Sequence, residues 1–581
     1  MDCVLRRLKT DGLRYGSWGK RMKMLADFQP LKLAEQELFD CCQSGEIAVI
    51  GEERPTEKTE ENEIRADFLR WLILTKEIEI NSYGIWVKGA YISGNFNLEN
   101  CKCEIVLSFM NSNFKEKLLC RRASIESLIL SGSLLQEGLN GDGLICKDLF
   151  LNDRFIAASE VRLISAKIDS ILNCSNGSFK SNDKTQYALN CSGIQVNEGV
   201  FFCNDFIAEG EVFLVSAKIG KTLDCSNGSF KSSGQSRFAL NCSGIQVDGY
   251  VFLRNGFNAE GEVWFASAKI GNSFECYNGT FKVEKENQFA LACDGMQVSG
   301  ALFLQDNCTF KKGILSLANI NVSALADDKS FWEQTTLKKV ILDGFKYGHI
   351  YTDDITASFR LQNMLAKMTG FEPQPYKQLA KVLRDMGHDR DADEVMIALH
   401  DKRLELSKES KWYKAFRKIY KWTSAYGYRP MRTLKIMASV WFLFGCIYWY
   451  GANVAVFAPS NPLIFQKEYN CAIDKNGTKW LACPKDYNES NNWYIASPAE
   501  YTTFQPFWYS LDIILPVVDL KMENDWGIVI PSPEGNWSDM IPFTTTNHFI
   551  RFLTWVETLA GWGLSLMLVA ILSGLAKNEK E

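Results

Sequence analysis

A sequence repeat with a period of 51 residues constrains the fold of this chain more than any other feature. The tetrapeptide SAKI begins at Ser165, Ser216 and Ser267, and the segments ALNCSGIQV, ALNCSGIQV and ALACDGMQV follow at the same spacing. Within each repeat, short β-type runs recur about every 10 to 12 residues and are separated by Asn-Gly and Ser-Gly turns. We therefore predict a β-solenoid over residues 83–328, in which one repeat makes about two coils.

The cysteines follow the same repeat. Fifteen of the 18 cysteines precede residue 310, and two series of them are spaced by 51 residues: Cys174, Cys225 and Cys276, and Cys191, Cys242 and Cys293. Reduced cysteine is a small apolar side chain that suits the interior of a solenoid. Zinc sites need paired ligands, and neither Cys101/Cys103 nor Cys41/Cys42 has a second pair at zinc spacing. We expect core packing, with no metal and no cofactor.

Lysines also recur at this period. They form two series, Lys167, Lys218 and Lys269, and Lys180, Lys231 and Lys282. With two coils per repeat, successive members of a series would lie about 10 Å apart. Such a row suits an extended polyanion, and aromatic residues such as Tyr187, Phe238 and Phe289 are available to stack bases. The alternative is a lysine-rich surface that keeps a β-rich domain soluble.

Helical patterns flank the repeats. We predict a helical cap over residues 1–82 and a helical connector over residues 329–432. Within the connector, residues 376–406 have apolar side chains at helical spacing on both sides of a Gly-His turn, which predicts a helical hairpin.

Two long apolar segments follow the connector. Residues 436–458 and 558–576 carry no charged side chain, and each is long enough to cross a hydrocarbon core about 30 Å thick. We predict transmembrane helices at 433–458 and 549–576, with a pair of buried core helices as the alternative. Nine basic residues and one acid lie between Lys408 and Lys435, whereas five lysines and eleven acids lie between Pro459 and His548. The positive-inside rule therefore places the N-terminal domain and the tail 577–581 in the cytoplasm, and the loops 459–503 and 527–548 outside.

A shorter apolar segment lies between the two predicted spans. Residues 504–526 are apolar over about 13 positions, too few to cross a bilayer. We predict a re-entrant, pore-like segment, and its candidate pore residues are Trp508, Tyr509, Asp512, Pro516, Asp519 and Glu523. An amphipathic helix in the outer leaflet is the alternative. No TVGYG-like run is present, so we expect weak cation preference, and two spans per chain require a homo-oligomer, most simply a homotetramer.

Cys471 and Cys483 lie in the first outer loop, with eleven residues between them. An oxidising compartment favours a disulfide between them, and two free thiols are the alternative.

Several segments together resemble a known family. They are ENEIRADFLRWLIL, GIWVKGAYISGNFNL, PQPYKQLAKVLRDMGHDRDADEV, YGYRPMRTL and LDIILPVVDL. In this order, they resemble bacterial membrane effectors with a cytoplasmic pentapeptide-like β-solenoid and a two-span pore tail, as in the anti-phage system called Hailong. The resemblance implies an inner-membrane effector held closed by single-stranded DNA that a companion nucleotidyltransferase makes.

The predicted fold class is thus a multidomain β + α membrane protein with a solenoid, a helical connector and a two-helix pore domain. The favoured function is a ligand-gated pore. A membrane-anchored scaffold without a pore and an enzyme built on the solenoid are the alternatives, although no Rossmann, flavin or CxxC motif supports an oxidoreductase.

Overall fold

The computed structural model describes residues 23–75, 77–182, 184–337, 339–351, 356–368, 370–461, 501–530 and 546–573. The chain divides into two compact units, and the boundary lies between Met396 and Ile397. The predicted disulfide partners Cys471 and Cys483, and the first 22 residues of the predicted cap, lie outside the described residues.

Parallel β-strands wound into successive coils make up most of the first unit. Lys167 is the register partner of Gln195, which is in turn the partner of Lys218. These two steps are 28 and 23 residues long, so two coils take up one 51-residue repeat. The prediction of two coils per repeat is confirmed, and the parallel architecture is that of a β-solenoid-like domain.

The strands form three parallel sheets within the described residues. Sheet A contains Ala48–Val49, Ile85–Lys88, Lys102–Met110, Ser124–Ile129, Ile145–Phe150, Lys167–Ile168, Leu172–Asn173, Gln195–Val196, Gly199–Phe201, Lys218–Ile219, Thr222–Asp224, Gln246–Val247, Tyr250–Phe252, Lys269–Ile270, Phe274–Glu275, Gln297–Leu304, Asn321–Asp327 and Lys346–Tyr351. Sheet B contains Glu63–Arg65, Tyr91–Ser93, Asn113–Phe114, Leu134–Leu135, Ile156–Ala157, Ser178–Lys180, Ile207–Glu209, Ser229–Lys231, Asn258–Glu260, Thr280–Lys282 and Thr309–Lys311. Sheet C contains Leu118–Leu119, Leu139–Asn140, Val161–Arg162, Tyr187–Asn190, Glu211–Phe213, Phe238–Asn241, Glu262–Trp264, Phe289–Ala292, Ile314–Ser316 and Lys339–Ile341.

The interior of the coils is filled by stacked side chains from equivalent positions. Phenylalanine rings within or directly before successive strands of sheet B pack against one another, with neighbouring centroids 4.6 to 5.3 Å apart from Phe155 to Phe310. The two cysteine series are fully buried beside them, as the core-packing interpretation requires. The Asn-Gly turns place Asn176, Asn227 and Asn278 at φ of 53 to 55°, a left-handed conformation that asparagine tolerates.

The coils extend beyond the predicted solenoid boundaries at both ends. Ala48 pairs with Val87, and Ile64 pairs with Ile92, so two strands of the predicted helical cap already belong to the sheets. At the other end, the strand Lys346–Tyr351 pairs with Asn321–Asp327. These terminal strands lie outside the 51-residue repeat, so the repeat gives no signal for them.

Helices accompany the coils at their two ends. The first unit contains α1 (Leu33–Ser44), α2 (Ala66–Leu74), α3 (Lys329–Gln334), α4 (Ala357–Phe359), α5 (Pro373–Asp385) and the beginning of α6 (Asp389–Leu406). Short turns of other helix types cover Leu25–Phe28, Arg360–Met364 and Leu365–Lys367. The helical hairpin predicted in the connector is α5 and α6, and Gly387 at φ of 83° forms the turn between them.

The second unit is helical. It contains the end of α6, then α7 (Lys411–Ser424), α8 (Pro430–Asn453), α9 (Pro506–Ile514), α10 (Met522–Asp525) and α11 (Thr546–Leu572), and the strands Phe457–Pro459 and Trp526–Ile528 pair antiparallel. Among the described helices, α8 and α11 are the two that are long and apolar enough to cross a membrane. Only 28% of the most apolar window of α8 and 22% of that of α11 are buried, so most residues of these windows are at least partly exposed in the isolated chain.

Candidate functional site

Residues 504–526 form a segment between the two long helices at the core of the second unit. The short helix α9 enters between them, and the chain after it returns to the end where it entered. At the start of this segment, Phe504 stacks on Phe457, with ring centroids 4.4 Å apart. At its end, Trp526 packs on Phe504 at 5.2 Å, and its strand pairs with the strand of Phe457. Both ends of the segment therefore lie beside the C-terminal end of α8.

The far end of α9 lies deep between α8 and α11. Ile514 packs in one cluster with Met437 of α8 and Leu564 of α11. Gly561 permits the contact, because a Cβ atom at this position would lie 2.7 Å from the carbonyl oxygen of Ile514. Residues 504–526 thus run along α8 from the level of Phe457 to the level of Met437, reverse direction, and return to the level of Phe457.

A buried polar network joins the three helices. Glu557 of α11 is fully buried and accepts hydrogen bonds from the hydroxyl groups of Tyr448 on α8 and Ser510 on α9. The indole Nε1 of Trp441 donates to the carbonyl oxygen of Phe507 at 2.8 Å and ties α8 to α9 a second time. The candidate pore residues predicted from the sequence omit Glu557. The sequence does carry a signal for Glu557, because an acidic side chain within a long apolar segment is energetically costly and is usually kept for a specific role.

The six predicted pore residues divide into buried and exposed groups. Tyr509 and Asp512 are buried, and the carboxylate of Asp512 accepts hydrogen bonds from the backbone N–H groups of Leu520 at 2.6 Å and Glu523 at 2.9 Å. Asp512 therefore fastens the returning chain to α9. The exposed members are Trp508, Asp519 and Glu523, and Pro516 is half-buried just beyond the end of α9.

The first lysine series forms part of a continuous row on the outer face of sheet A. The row runs by strand register through Lys102, Ser124, Ile145, Lys167, Gln195, Lys218, Gln246, Lys269, Gln297, Asn321 and Lys346. We refer to it as the Lys/Gln row. It contains no acid, and its three central lysines are exposed and form no ion pair within the described residues. The neighbouring exposed positions, two residues further along these strands, include four acids, Glu104, Glu126, Asp169 and Asp248.

The second lysine series lies on sheet B and has a different electrostatic setting. Glutamates occupy the coils between its members, so the register runs Lys180, Glu209, Lys231, Glu260 and Lys282. Lys180 pairs with Glu209 at 3.1 Å, and Glu260 pairs with both Lys231 and Lys282, at 3.8 and 3.4 Å. The two lysine series therefore lie on different sheets, and only the first is free of interleaved acids.

A polar cleft of about 360 Å³ opens beside the second series. It lies between the loops that follow Lys231 and Lys282, and Arg237, Lys285 and Glu284 also line it. Arg237 lies over the rings of Phe238 and Trp264 at 4.8 and 5.4 Å. The aromatic residues named from the sequence, Tyr187, Phe238 and Phe289, lie on sheet C, where they pack against Phe213 or Trp264 rather than beside the Lys/Gln row.

The thiols of the coils are chemically protected. Burial raises the pKa of Cys174, Cys225 and Cys276 well above the usual range of a thiol. A thiolate is the reactive form, so these side chains are inert packing groups. Within the described ranges, no group of three or more His, Cys, Asp or Glu side chains converges on a common point in the way a metal site requires.

The arrangement was compared with proteins of known sequence and structure. No protein-family model, no curated protein and no solved structure matches this chain.

Proposed function

We propose that the chain is one subunit of a homo-oligomeric, ligand-gated pore in the bacterial inner membrane, with the β-solenoid-like domain as its cytoplasmic sensor. The observation that carries the proposal is the path of residues 504–526, which descend as α9 between α8 and α11 and return to the same end of α8. A short helix followed by an acidic return, between two long apolar helices, is the plan of pore-loop ion channels.

Membrane insertion is supported by the outer surface of the second unit. α8 and α11 have 24 and 27 residues, about 36 and 40 Å, and both exceed the hydrocarbon thickness of about 30 Å. Large apolar side chains such as Phe442, Leu559 and Leu566 are exposed along them. Core helices of a soluble protein would bury this surface, whereas lipid covers it without cost.

The location of exposed acids supports a conducting path. The turn after α9 exposes Val517, Val518 and Asp519, and Glu523 is exposed on the returning chain. One chain with two spans encloses no conduit, so we propose a tetramer in which this turn faces the axis. Rings of Asp519 and Glu523 would then favour cations. A membrane-anchored scaffold without a pore would conduct no ions.

The proposal is tested by ion flux through the purified chain in liposomes. We expect cation flux from the wild-type protein and a marked loss of cation preference in the double variant Asp519→Asn/Glu523→Gln. Glu409→Gln is the matched control, because this exposed acid lies before α7, far along the chain from α9. Absence of flux would favour the scaffold, and unchanged selectivity in the double variant would contradict the placement of the acids.

For the sensor, we propose that the Lys/Gln row binds short single-stranded DNA. Support comes from three exposed lysines two coils apart, about 10 Å, with glutamines rather than acids between them. The resemblance to Hailong effectors implies this ligand, made by a companion nucleotidyltransferase, and implies that its removal opens the pore. Depolarisation of the inner membrane during phage infection would be the consequence.

A further inference from the structure

α7 has one apolar and one basic side, and the apolar side is exposed. Trp412, Phe416 and Ile419 follow the spacing of one helix face, and Trp422 extends it. All four are exposed, Trp412 to 87% and Trp422 to 67%. The opposite side contains only cations: Lys411, Lys414, Arg417, Lys418 and Lys421.

Part of the basic side is already used within the second unit. Arg417 contacts the imidazole Nδ1 of His400 at 3.1 Å, and Lys421 pairs with Asp401 at 2.9 Å. The other three cations, Lys411, Lys414 and Lys418, form no ion pair in the part of the chain that the structure describes. Three positive charges therefore remain for an external partner.

The apolar side of α7 adjoins the apolar surface of α11. Thr423 lies within the apolar stripe, and its Oγ1 is 3.3 Å from Sδ of Met567, near the end of α11. Around this contact, α11 exposes Leu566, Val569 and Leu572. At the same end, Oγ1 of Thr433 in the first turn of α8 donates to the carbonyl oxygen of Thr423 at 3.2 Å. The exposed stripe thus continues a surface that the proposed function places in lipid.

We propose that α7 is an interfacial helix that binds anionic phospholipid at the cytoplasmic surface of the membrane, an inference that rests on the proposed insertion of α8 and α11. Its aromatic side would enter the boundary between headgroups and acyl chains, and its free lysines would contact lipid phosphates. Charge decides between lipid and a second copy of this helix, because two α7 helices would bring like charges together.

Lipid crosslinking by the full-length protein tests the inference. The photoreactive residue benzoylphenylalanine replaces Phe416 on the apolar side, Lys414 on the basic side, or Leu559 on the exposed surface of α11, each in a separate variant. The proteins are reconstituted in vesicles of phosphatidylcholine with or without phosphatidylglycerol, and crosslinked lipid is measured by mass spectrometry. We expect lipid adducts at positions 416 and 559, several-fold fewer at position 414, and more at position 416 when phosphatidylglycerol is present.

The outcomes separate this inference from the proposed function. Adducts at position 559 without adducts at position 416 would overturn the interfacial helix while leaving the membrane spans intact. Absence of adducts at both positions would overturn both proposals, and a protein–protein adduct at position 416 would assign the apolar side to a second copy. In the triple variant Lys411→Gln/Lys414→Gln/Lys418→Gln, the effect of phosphatidylglycerol at position 416 should disappear. Its persistence would contradict a role for these charges.

Discussion

The hydroxyl group of Tyr448 donates a hydrogen bond to the carboxylate of Glu557, and this bond joins the two long helices of the second unit. The same carboxylate accepts a bond from Ser510 on the short helix between them. One buried acid thus fixes α8, α9 and α11 relative to one another. Because Ser510 lies two residues before Asp512, which fastens the return segment, the network also sets the position of the proposed pore turn.

Removal of the Glu557 carboxylate should loosen this arrangement. Glu557→Ala removes the carboxylate that accepts from two buried hydroxyl groups. Their other acceptors are Oγ1 of Thr554, 3.3 Å from Tyr448, and the carbonyl oxygen of Trp441, 3.1 Å from Ser510, so we expect a cost of about 1–3 kcal/mol. Glu557→Gln keeps an acceptor oxygen of the same shape, so we expect a smaller loss. Thermal unfolding of the protein in detergent should rank wild type, Glu557→Gln and Glu557→Ala in that order of decreasing stability. Equal stability of all three would contradict the structural role.

The two lysine series offer two triple variants that test DNA binding, a charge reversal on the Lys/Gln row and a charge neutralisation on sheet B. The triple variant Lys167→Glu/Lys218→Glu/Lys269→Glu should weaken binding of a short single-stranded oligonucleotide by about tenfold or more and reduce the salt dependence, expressed as the log–log slope, by about 2. The triple variant Lys180→Gln/Lys231→Gln/Lys282→Gln should bind nearly as well as wild type, because glutamates already balance these charges. Filter binding at several salt concentrations measures both effects. Wild-type affinity in the first variant would exclude the Lys/Gln row.

Glu63 predicts a pH dependence of stability. Burial alone would raise the pKa of this carboxyl group, but hydrogen bonds from Lys32, Lys58 and Ser93 outweigh burial and lower the pKa to about 2. A lowered folded-state pKa stabilises the fold above the unfolded value of about 4.5, and this contribution is lost as the pH falls towards 2.

Glu63→Gln should therefore reduce the free energy of unfolding by about 2 kcal/mol at pH 7 and by less at pH 3. Urea unfolding followed by circular dichroism measures the difference. Glu61→Gln is the control, because this neighbouring carboxylate is exposed. A penalty for Glu63→Gln that is the same at both pH values would show that the ion pairs do not cause it.

The thiols of the coils should resist modification in the native protein. Cys446 is exposed, whereas Cys174, Cys225 and Cys276 are fully buried with raised pKa values. Brief treatment with a small maleimide followed by peptide mass spectrometry should label none of these three, and all of them after unfolding in urea. Native labelling of Cys225 at the unfolded rate would contradict the packed interior.

The 51-residue period was sufficient to predict the two coils per repeat, the buried cysteines and the spacing within each lysine series. It could not predict that Glu209 and Glu260 stand between the lysines of the second series. That pairing depends on how each repeat divides into steps of 28 and 23 residues, and a shift of one residue would move every side chain to the other face. The hydrogen-bond partners of Asp512 and Glu557 could not be predicted either, because the tertiary fold rather than sequence spacing determines them.

The response of ion flux to oligonucleotide tests the gated pore most directly. Wild-type protein and the triple variant Lys167→Glu/Lys218→Glu/Lys269→Glu are reconstituted in liposomes. Cation flux is recorded with and without short single-stranded DNA on the side of the β-solenoid-like domain. We predict that DNA suppresses flux through the wild type and leaves flux through the variant unchanged. Flux that is absent, or equal with and without DNA in the wild type, would contradict the account.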